Sequence, residues 1–525
     1  MDVVLNSTTE AIQNSTTSAV AGQQFELNTT TLLSIITNLS WLQIAVAIIT
    51  IILSYDQLMY QIRKGSIAGP RFKFWPIIGP FLESLDPKFE EYQAKWASGP
   101  LSCVSIFHKF VVIASTRDLA RKVLQSPSYV KPCVVDVAVK ILRPTNWVFL
   151  DGKAHVDYRK GLNGLFTKQA LSVYLPAQEK IMDKYLDKFV EMTKEGHTEF
   201  FPAFREYMCA ISLKTFCGDY ISDDQIKDIA DKYYQVTAAL ELVNFPIIIP
   251  YTKTWYGKVT ADMAMKIFEG CAQKAKDHVK AGKEPTCVMD AWVKLMQDGD
   301  SKTGRKAVRL FSNKEISEAV FTFLFASQDA SSSLCCWIFQ ICADRPDVFQ
   351  KIREEQLALR NGDPNVPLTT ELIDKMHYTN MVVKETLRYR PPVIMVPYVV
   401  KKSYPVSDSY TVPKGAMVIP TLYPALHDPE VYEQPEEFIP ERWEEGSKAS
   451  EAKKNWLVFG TGTHVCLGQT YVMTSFAALI GKAAMLVDVD HKVTPLSEKI
   501  KVFATIFPKD DVILKFTKRK DPSKV

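Results

Sequence analysis

The chain has 525 residues, of which 47% are hydrophobic, so it is long enough to bury a large core with room for an internal group. Its formal net charge is only +4, and no dense run of lysine and arginine occurs, so nucleic acid is not an expected partner. The ten cysteines form no CxxC pair, and Cys335 and Cys336 are adjacent in an apolar run, which favours a reducing compartment for the main domain.

The N-terminal part of the chain predicts one membrane anchor. The first 62 residues contain no lysine or arginine, and Trp41–Leu53 is rich in Ile, Leu, Val and Ala. About 20 mostly apolar residues cross a bilayer as a helix, so we place a transmembrane helix at residues 41–60. Arg63 and Lys64 follow directly, and the positive-inside tendency places the rest of the chain in the cytosol. A cleaved signal peptide is the competing interpretation, but a basic leading segment is missing.

Three regions flank or follow this anchor. Residues 1–40 are a tail that the same orientation makes lumenal; it carries glycosylation sequons at Asn6, Asn14 and Asn28, so we expect a glycoprotein. Residues 61–80 hold three X-Pro pairs and form a stiff hinge that cannot continue a helix. Residues 81–525 show no internal repeat and are expected to form one domain.

Hydrophobic periodicity in this domain predicts a mainly α fold with a smaller β portion. Strands are expected early, helices from Thr116 to Leu387, and irregular proline-rich sequence from Pro391 to Trp443. The expected strands are residues 101–107, 110–114, near 393–400 and 417–421, and the stretch after Asp488. The apolar loop Phe245–Pro250 is either a buried loop or a segment that dips into lipid and admits an apolar substrate.

Two basic residues share one face of a predicted helix. His155 and Arg159 are four apart in the run Gly152–Arg159, and residues with this spacing are neighbours on a helix surface. Solvated basic side chains are the default interpretation. Both side chains would also suit a bound anionic group.

The longest predicted helix contains a polar stretch at its centre. Ser312 and Glu315 form a capping-box pattern that starts a helix running to Asp344, just before Pro346. The segment before the polar stretch is apolar on all sides and therefore buried. Asp329 and Ser331 follow it, and such groups are costly inside a protein unless they have partners. Asp329 is either a solvated or salt-bridged residue, or part of a polar notch that relays protons.

A charged pair is predicted to become a buried cluster. Glu385 and Arg388 lie three apart on one helix face, and alone they form an ordinary pair worth about 0.2–0.5 kcal/mol. Arg442 follows in the run Phe438–Trp443. If this second arginine reaches Glu385, the three charges fix the loop that precedes Cys466, and loss of one member costs several kcal/mol.

The run Phe459–Gly468 predicts a loop that holds a cysteine sulfur against iron. Gly462 and Gly468 permit tight turns and close approach, and a helix-forming stretch follows Cys466. A helix N-terminus is expected to lower the pKa of the thiol and favour the thiolate. A thiolate on haem iron favours O–O cleavage. His464, and with it His155 and Arg159, could then meet the haem propionates. A buried structural cysteine is the alternative.

Together these motifs resemble the cytochrome P-450 family, in the order in which that family has them, from about Gly69 to the C-terminus. The resemblance implies a P-450 fold, a haem b with Cys466 as its axial thiolate, and NADPH electrons delivered by a membrane-bound cytochrome P-450 reductase. It assigns the propionates to Arg159 and His464, and the salt-bridge cluster to Glu385, Arg388 and Arg442. Such an enzyme is expected in the endoplasmic reticulum membrane, in contact with lipid.

Three stretches are similar to one branch of the family, the fungal sterol C-22 desaturases: GKAHVDYRKGLNGLF, FTFLFASQDASSS and WLVFGTGTHVCLGQTYV. That resemblance implies insertion of a C-22(23) double bond into a late ergosterol-pathway sterol. Two positions depart from the general family pattern. Ala330 stands where a threonine is usual, so Ser331 or an ordered water would have to take its place, and His155 stands where many members have tryptophan.

Three rival functions remain open. One is another sterol or fatty-acid monooxygenase, such as a sterol 14α-demethylase. The second is a haem-thiolate protein that carries or senses sterol without turnover. The third is a membrane scaffold without haem, which would make the Cys466 loop accidental.

Overall fold

The computed structural model describes residues 40–73, 79–80, 86–106, 109–134, 136–240, 247–298, 309–503 and 505–524. The chain divides into two compact units, Met1–Met59 and Tyr60–Val525. The three sequons and Phe245 and Pro246 of the predicted apolar loop lie outside the described residues.

The predicted membrane anchor is a helix, α1 (Trp41–Lys64), of 24 residues. At 1.5 Å per residue it is roughly 36 Å long, enough to cross a hydrocarbon core of about 30 Å. It is the one helix in the described part of the chain that is long and apolar enough for a span. It continues to Lys64 instead of ending at residue 60, because its last turn is free of proline and glycine until Gly65.

Helices dominate the larger unit. Those before the long central helix are α2 (Phe89–Ala97), α3 (Arg117–Leu124), α4 (Asp136–Leu142), α5 (Gly152–Leu162), α6 (Lys168–Met192), α7 (Phe201–Cys217), α8 (Asp223–Ala239), α9 (Lys253–Lys280) and α10 (Val288–Asp298). The central helix and those after it are α11 (Asn313–Asp344), α12 (Pro346–Leu359), α13 (Thr370–Asp374), α14 (His377–Tyr389), α15 (Leu422–Leu426), α16 (Lys448–Glu451) and α17 (Gln469–Leu486).

Twelve short strands are described: β1 (Leu101–Ile106), β2 (Lys109–Ala114), β3 (Val130–Pro132), β4 (Thr198–Glu199), β5 (Tyr398–Val400), β6 (Tyr404–Ser407), β7 (Tyr410–Val412), β8 (Met417–Pro420), β9 (Val487–His491), β10 (Ile500–Phe503), β11 (Thr505–Pro508) and β12 (Ile513–Lys518). The largest sheet has the order β1-β2-β8-β5-β3. Only its β2–β8 pair is parallel, with Val112 opposite Val418. The mainly α fold with a smaller β portion is therefore confirmed.

The long helix α11 passes through the main hydrophobic core. Ser312 caps it, and the reciprocal bonds of a capping box with Glu315 are both present, as the sequence predicted. The helix packs against α7, α9 and α14 and against β9 and β11. Its 32 residues end at Asp344, directly before Arg345 and Pro346.

Candidate haem-binding site

Cys466 lies in a loop that ends at the N-terminus of α17. The backbone N–H of Cys466 donates to the Phe459 carbonyl oxygen over 2.9 Å, which closes the loop. Helix α17 begins at Gln469, with Gly468 as its N-cap. The backbone N–H groups of Gly468 and Gln469 donate to the sulfur. Unpaired N–H groups of a helix N-terminus are thus directed at the thiol, as the sequence predicted.

The net pKa of this thiol differs from the prediction. Burial raises the pKa of Cys466, and the two N–H groups together with the Arg159 charge oppose this rise without overcoming it. Cys466 is nevertheless the one exposed residue of the ten free cysteines. Protein surrounds the sulfur closely while leaving one side accessible. A metal ion deprotonates a coordinating thiol through its own charge, so a raised pKa in the free protein is compatible with a thiolate ligand.

Glycine is required at one of the two predicted positions of this loop. Gly462 has φ +80°, and a Cβ there would lie 2.7 Å from the carbonyl oxygen of Leu124, at the end of α3. No side chain fits in that space. Gly468 has φ −88°, and a Cβ there would lie 3.9 Å from the Cys466 sulfur, an ordinary contact. The close approach predicted for Gly462 is observed, whereas Gly468 has an ordinary backbone conformation.

The three basic residues named from the sequence come together at this loop. Arg159 donates a hydrogen bond to the Val465 carbonyl oxygen. The rings of His155 and His464 have centroids 4.1 Å apart. Burial lowers the pKa of His464 to about 4, with the charges of His155 and Arg159 contributing, and burial also lowers the pKa of His155. A cluster of two imidazoles and one guanidinium beside an accessible thiol suits a group that carries both a metal and carboxylates.

The predicted charge cluster is present and fully buried. The Glu385 carboxylate accepts from Arg388 Nε at 2.9 Å, from Arg388 Nη2 at 2.8 Å and from Arg442 Nε at 2.8 Å. Trp443 Nε1 adds a fourth donor at 2.9 Å, and the Ile439 N–H a fifth at 3.1 Å. The two arginines also donate to backbone carbonyls between residues 426 and 437. The irregular segment before the cysteine loop is thereby attached to α14.

Aromatic rings connect this cluster to the cysteine loop. Trp443, which donates to Glu385, meets Trp456 edge to face at 5.7 Å between ring centroids. Trp456 meets Phe459 in the same way at 5.5 Å. The carbonyl oxygen of Phe459 in turn accepts a hydrogen bond from the Cys466 N–H. These contacts connect the Glu385 cluster to the cysteine loop. The role of Trp456 in this connection was not predicted from the motifs.

The middle of α11 is accessible on one face. Ala326 is exposed and Ala330 half-buried, although the helix around them is buried. Asp329 does not share this accessibility. Its carboxylate is ion-paired with Arg205 on α7, and the Thr237 hydroxyl on α8 donates to its other oxygen over 2.9 Å. Asp329 is thus salt-bridged, and its role in proton relay stays a prediction.

The two partners of Asp329, Arg205 and Thr237, were not identified from the sequence. Arg205 lies in the apolar run of α7, and a charged residue in such a run is usually paired when buried. A buried arginine therefore predicts an acidic partner but does not show which one.

Ser331, the other polar residue predicted on α11, is also buried. Its hydroxyl makes no hydrogen bond within the described residues.

These residues fit a haem with a cysteine thiolate ligand: an accessible thiol at a helix N-terminus, basic side chains beside it, and an accessible face on a buried helix. The family model described as Cytochrome P450 matches residues 69–498. The chain is 73% identical over 98% of its length to the C-22 sterol desaturase ERG5 of Saccharomyces cerevisiae, covering 97% of that protein. It is 69% identical over 91% of its length to C-22 sterol desaturase ERG5 of Candida albicans, covering 93% of that protein.

A solved structure has the same fold. Retinoic acid bound cyanobacterial CYP120A1 aligns with a TM-score of 0.73 over 85% of this chain and 98% of its own, at 20% identity. At that identity the likeness concerns the fold alone. The family match extends from the segment after α1 to the C-terminal strands and includes the Cys466 loop, the Glu385 cluster and α11. This chain belongs to the cytochrome P450 family.

Proposed function

We propose that this chain is a membrane-anchored haem-thiolate enzyme that introduces the C-22(23) double bond into a late ergosterol-pathway sterol. The observation that carries the proposal is the 73% identity with a C-22 sterol desaturase over 98% of the chain. The Cys466 loop supports the haem-thiolate part, because its accessible sulfur receives two backbone N–H groups. Cys466 holds the iron, and Arg159, His155 and His464 hold the propionates.

The reaction removes two hydrogens from adjacent carbons and adds no oxygen to the sterol. One sterol, one O₂, one NADPH and one proton give the 22-ene, NADP⁺ and two waters. The haem supplies oxygen activation and hydrogen abstraction when it is bound. The accessible face of α11 at Ala326 and Ala330 is small and apolar, which suits a hydrocarbon side chain lying across it. Close restraint of that side chain favours loss of the second hydrogen over hydroxylation.

Two protons per turnover reach the reacting oxygen from solvent, and we assign their delivery to α11. Asp329 is the candidate proton carrier, and Ser331 or an ordered water takes the place of the hydroxyl that Ala330 lacks. The Ser331 hydroxyl makes no hydrogen bond within the described residues and so has room for a new partner, which supports that role.

The proposed partners are NADPH-cytochrome P-450 reductase, membrane lipid and the sterol. The proposed location is the endoplasmic reticulum membrane, with α1 as a single anchor, the larger unit in the cytosol and residues 1–40 in the lumen. Arg63 and Lys64 at the end of α1 support this orientation. Ile247, Ile249 and Tyr251 are exposed at the start of the segment before α9, which supports lipid contact there.

One reconstituted assay tests the function. The purified chain is combined with reductase, NADPH and a panel of sterols, and the products are identified by mass spectrometry. We expect a 22-ene product; hydroxylated sterols alone would refute desaturation, and 14α-demethylated sterols would indicate the rival activity. Haem and sterol binding without turnover would indicate a carrier, and a colourless protein would indicate a scaffold.

The assignment of Cys466 has its own test. Cys466→Ala should abolish the carbon-monoxide absorption band of the thiolate-ligated protein, because the sulfur donor is removed. Cys133→Ala, at a half-buried cysteine elsewhere, should leave that band unchanged. The same band in Cys466→Ala as in the parent would remove Cys466 from the site.

A further inference from the structure

Arg205 and Asp329 form a buried ion pair apart from the cysteine loop and the Glu385 cluster. Both residues are buried, at 8% and 5% exposure, and both oxygens of the carboxylate are occupied. Arg205 Nη2 also reaches the Thr237 hydroxyl, at 3.3 Å. The Asp329 carboxylate therefore lies in the interface between α7, α8 and α11, in a single arrangement set by two partners.

The backbone on both sides of this pair is held as well. Gln328 Nε2 donates to the Arg205 carbonyl oxygen over 2.7 Å. The Thr505 hydroxyl on β11 donates to the Asp329 carbonyl oxygen over 3.2 Å. Four elements, α7, α8, α11 and β11, thus converge on Asp329, which directly precedes the half-buried Ala330 and lies three residues after the exposed Ala326.

Two further polar atoms of the same helices lack protein partners in the described residues. They are the Tyr233 hydroxyl, one turn before Thr237 on α8, and the Gln328 side-chain oxygen. Buried polar atoms without a protein partner are normally satisfied by ordered water. Water in this interface would connect Asp329 to a supply of protons from the side of α7 and α8.

We infer that Arg205 is a positioning residue for the reaction: it holds the Asp329 carboxylate in one orientation in the interface of α7, α8 and α11, beside Ala330 of the accessible face, and so sets the rate of proton delivery. The inference rests on the proposed function for its reaction but concerns a residue that the sequence motifs did not name. Without Arg205 the carboxylate would keep only the Thr237 contact and would turn among several rotamers.

The experiment compares Arg205→Gln, Arg205→Lys, Asp329→Asn and the double variant Arg205→Gln/Asp329→Asn. We expect Arg205→Gln to slow NADPH-dependent turnover about tenfold or more and to enlarge the solvent isotope effect, and we expect the same of Asp329→Asn. Arg205→Lys should keep part of the parental turnover rate and change the isotope effect less, because lysine keeps the positive charge. The double variant should lie within about twofold of the slower single variant, since both changes act on one step.

Arg353→Gln is the matched control. Arg353 is also 8% exposed and ion-paired, with Asp488 at 2.7 Å, but it lies on α12 away from Asp329. It should lower thermal stability as Arg205→Gln does and leave the solvent isotope effect unchanged. If Arg205→Gln lowers stability yet keeps the parental isotope effect, or if its effect on turnover multiplies with that of Asp329→Asn, Arg205 is structural only and the inference is wrong.

A readout without turnover accompanies this set. In thermal unfolding of the same four proteins, Arg205→Gln and Asp329→Asn should be non-additive, as expected for a buried pair. The isotope effect is measured with whichever sterol supports NADPH oxidation. A product other than a 22-ene would therefore refute the proposed function without deciding the role of Arg205.

Discussion

At the scale of single residues, Gly462 is subject to two separate constraints. Its φ of +80° is costly for any side chain, and the Leu124 carbonyl oxygen fills the space that a Cβ would need. Backbone strain of this kind costs about 1–3 kcal/mol, whereas contact with a backbone atom forces the loop itself to move. The position of the cysteine sulfur therefore depends on a residue four positions before it.

Gly462→Ala and Gly415→Ala separate these two constraints. Gly415 has φ +82° and no heavy atom within 4 Å of a Cβ, so alanine there meets only the conformational cost. Gly415→Ala should lower the unfolding free energy by about 1–3 kcal/mol. Gly462→Ala should lower it further, because the alanine Cβ would also meet the Leu124 carbonyl oxygen. Only Gly462→Ala should also weaken the carbon-monoxide band of the thiolate form. Equal spectra in the two variants would show that the Leu124 contact does not position Cys466.

His427 is a residue whose ionisation should affect stability. Burial, with the charge of Arg388, lowers its pKa to about 3, and its Nδ1 donates to the Tyr423 carbonyl oxygen over 2.9 Å. Between pH about 6.5 and about 3, His427 is then protonated in the unfolded chain and neutral in the folded chain. Stability should fall as the pH is lowered through this range, by up to a few kcal/mol.

The measurement is the pH dependence of the unfolding free energy of the parent and of His427→Phe. The variant keeps a ring stacked on Tyr423 but cannot bind a proton, so its stability should decline less between pH 6 and pH 4. Parallel curves for the two proteins would assign the acid sensitivity to other groups.

At the scale of elements, the Glu385 cluster joins α14 to the irregular segment that precedes the cysteine loop. Five donors converge on a carboxylate that is fully buried. A buried cluster of this kind is poor evidence for net stabilisation, because desolvation opposes the attraction between the charges. Its consequence is geometric: Trp443, Trp456 and Phe459 extend from it to the N–H of Cys466.

Glu385→Gln should be severe because it leaves two buried arginines without a counter-charge. We expect a loss of about 3–5 kcal/mol in unfolding free energy and poor retention of haem. Glu441→Gln, in the same segment, is the control. Glu441 pairs with Lys351 at 2.7 Å, with side chains 39% and 52% exposed, so its loss should cost about 0–1 kcal/mol. Similar losses in both would contradict a special role for the cluster.

At the scale of the whole molecule, the proposed membrane anchor and the candidate site fall in different compact units. Met1–Met59 contains most of the apolar helix α1, and Tyr60–Val525 contains all the candidate site residues. Removal of residues 1–59 should therefore release the protein from membranes under alkaline carbonate, because we expect exposed side chains such as Ile247 and Ile249 to give only peripheral contact.

The shortened protein should keep the carbon-monoxide band of the full chain, since the candidate haem-binding residues lie in the second unit. Sedimentation and absorption spectra of the full and shortened chains check both expectations. A shortened chain that stays in the membrane pellet after carbonate treatment would show that the anchor lies elsewhere. One that loses the band would show that the two units do not fold independently.

Patterns that are local in the chain were predictable. The apolar run of α1, the capping box of α11 and the cysteine followed by a helix each depend on residues within a few positions of one another. The predicted strands were correct in place, with ends shifted by a few residues, because strand ends depend on pairing partners. The Glu385–Arg442 contact was predictable only because both residues belong to motifs of one family.

The sequence by itself determined that a cysteine would end a loop at a helix N-terminus, that basic residues could accompany it, and that a polar group would interrupt a buried helix. Tertiary structure alone decided that Asp329 pairs with Arg205, 124 positions away, that Trp456 links the charge cluster to the loop, and that burial raises the pKa of Cys466. The reason is physical: helix caps and turns are local interactions, whereas the partner of a buried charge and the desolvation of a thiol depend on which distant segments pack around it.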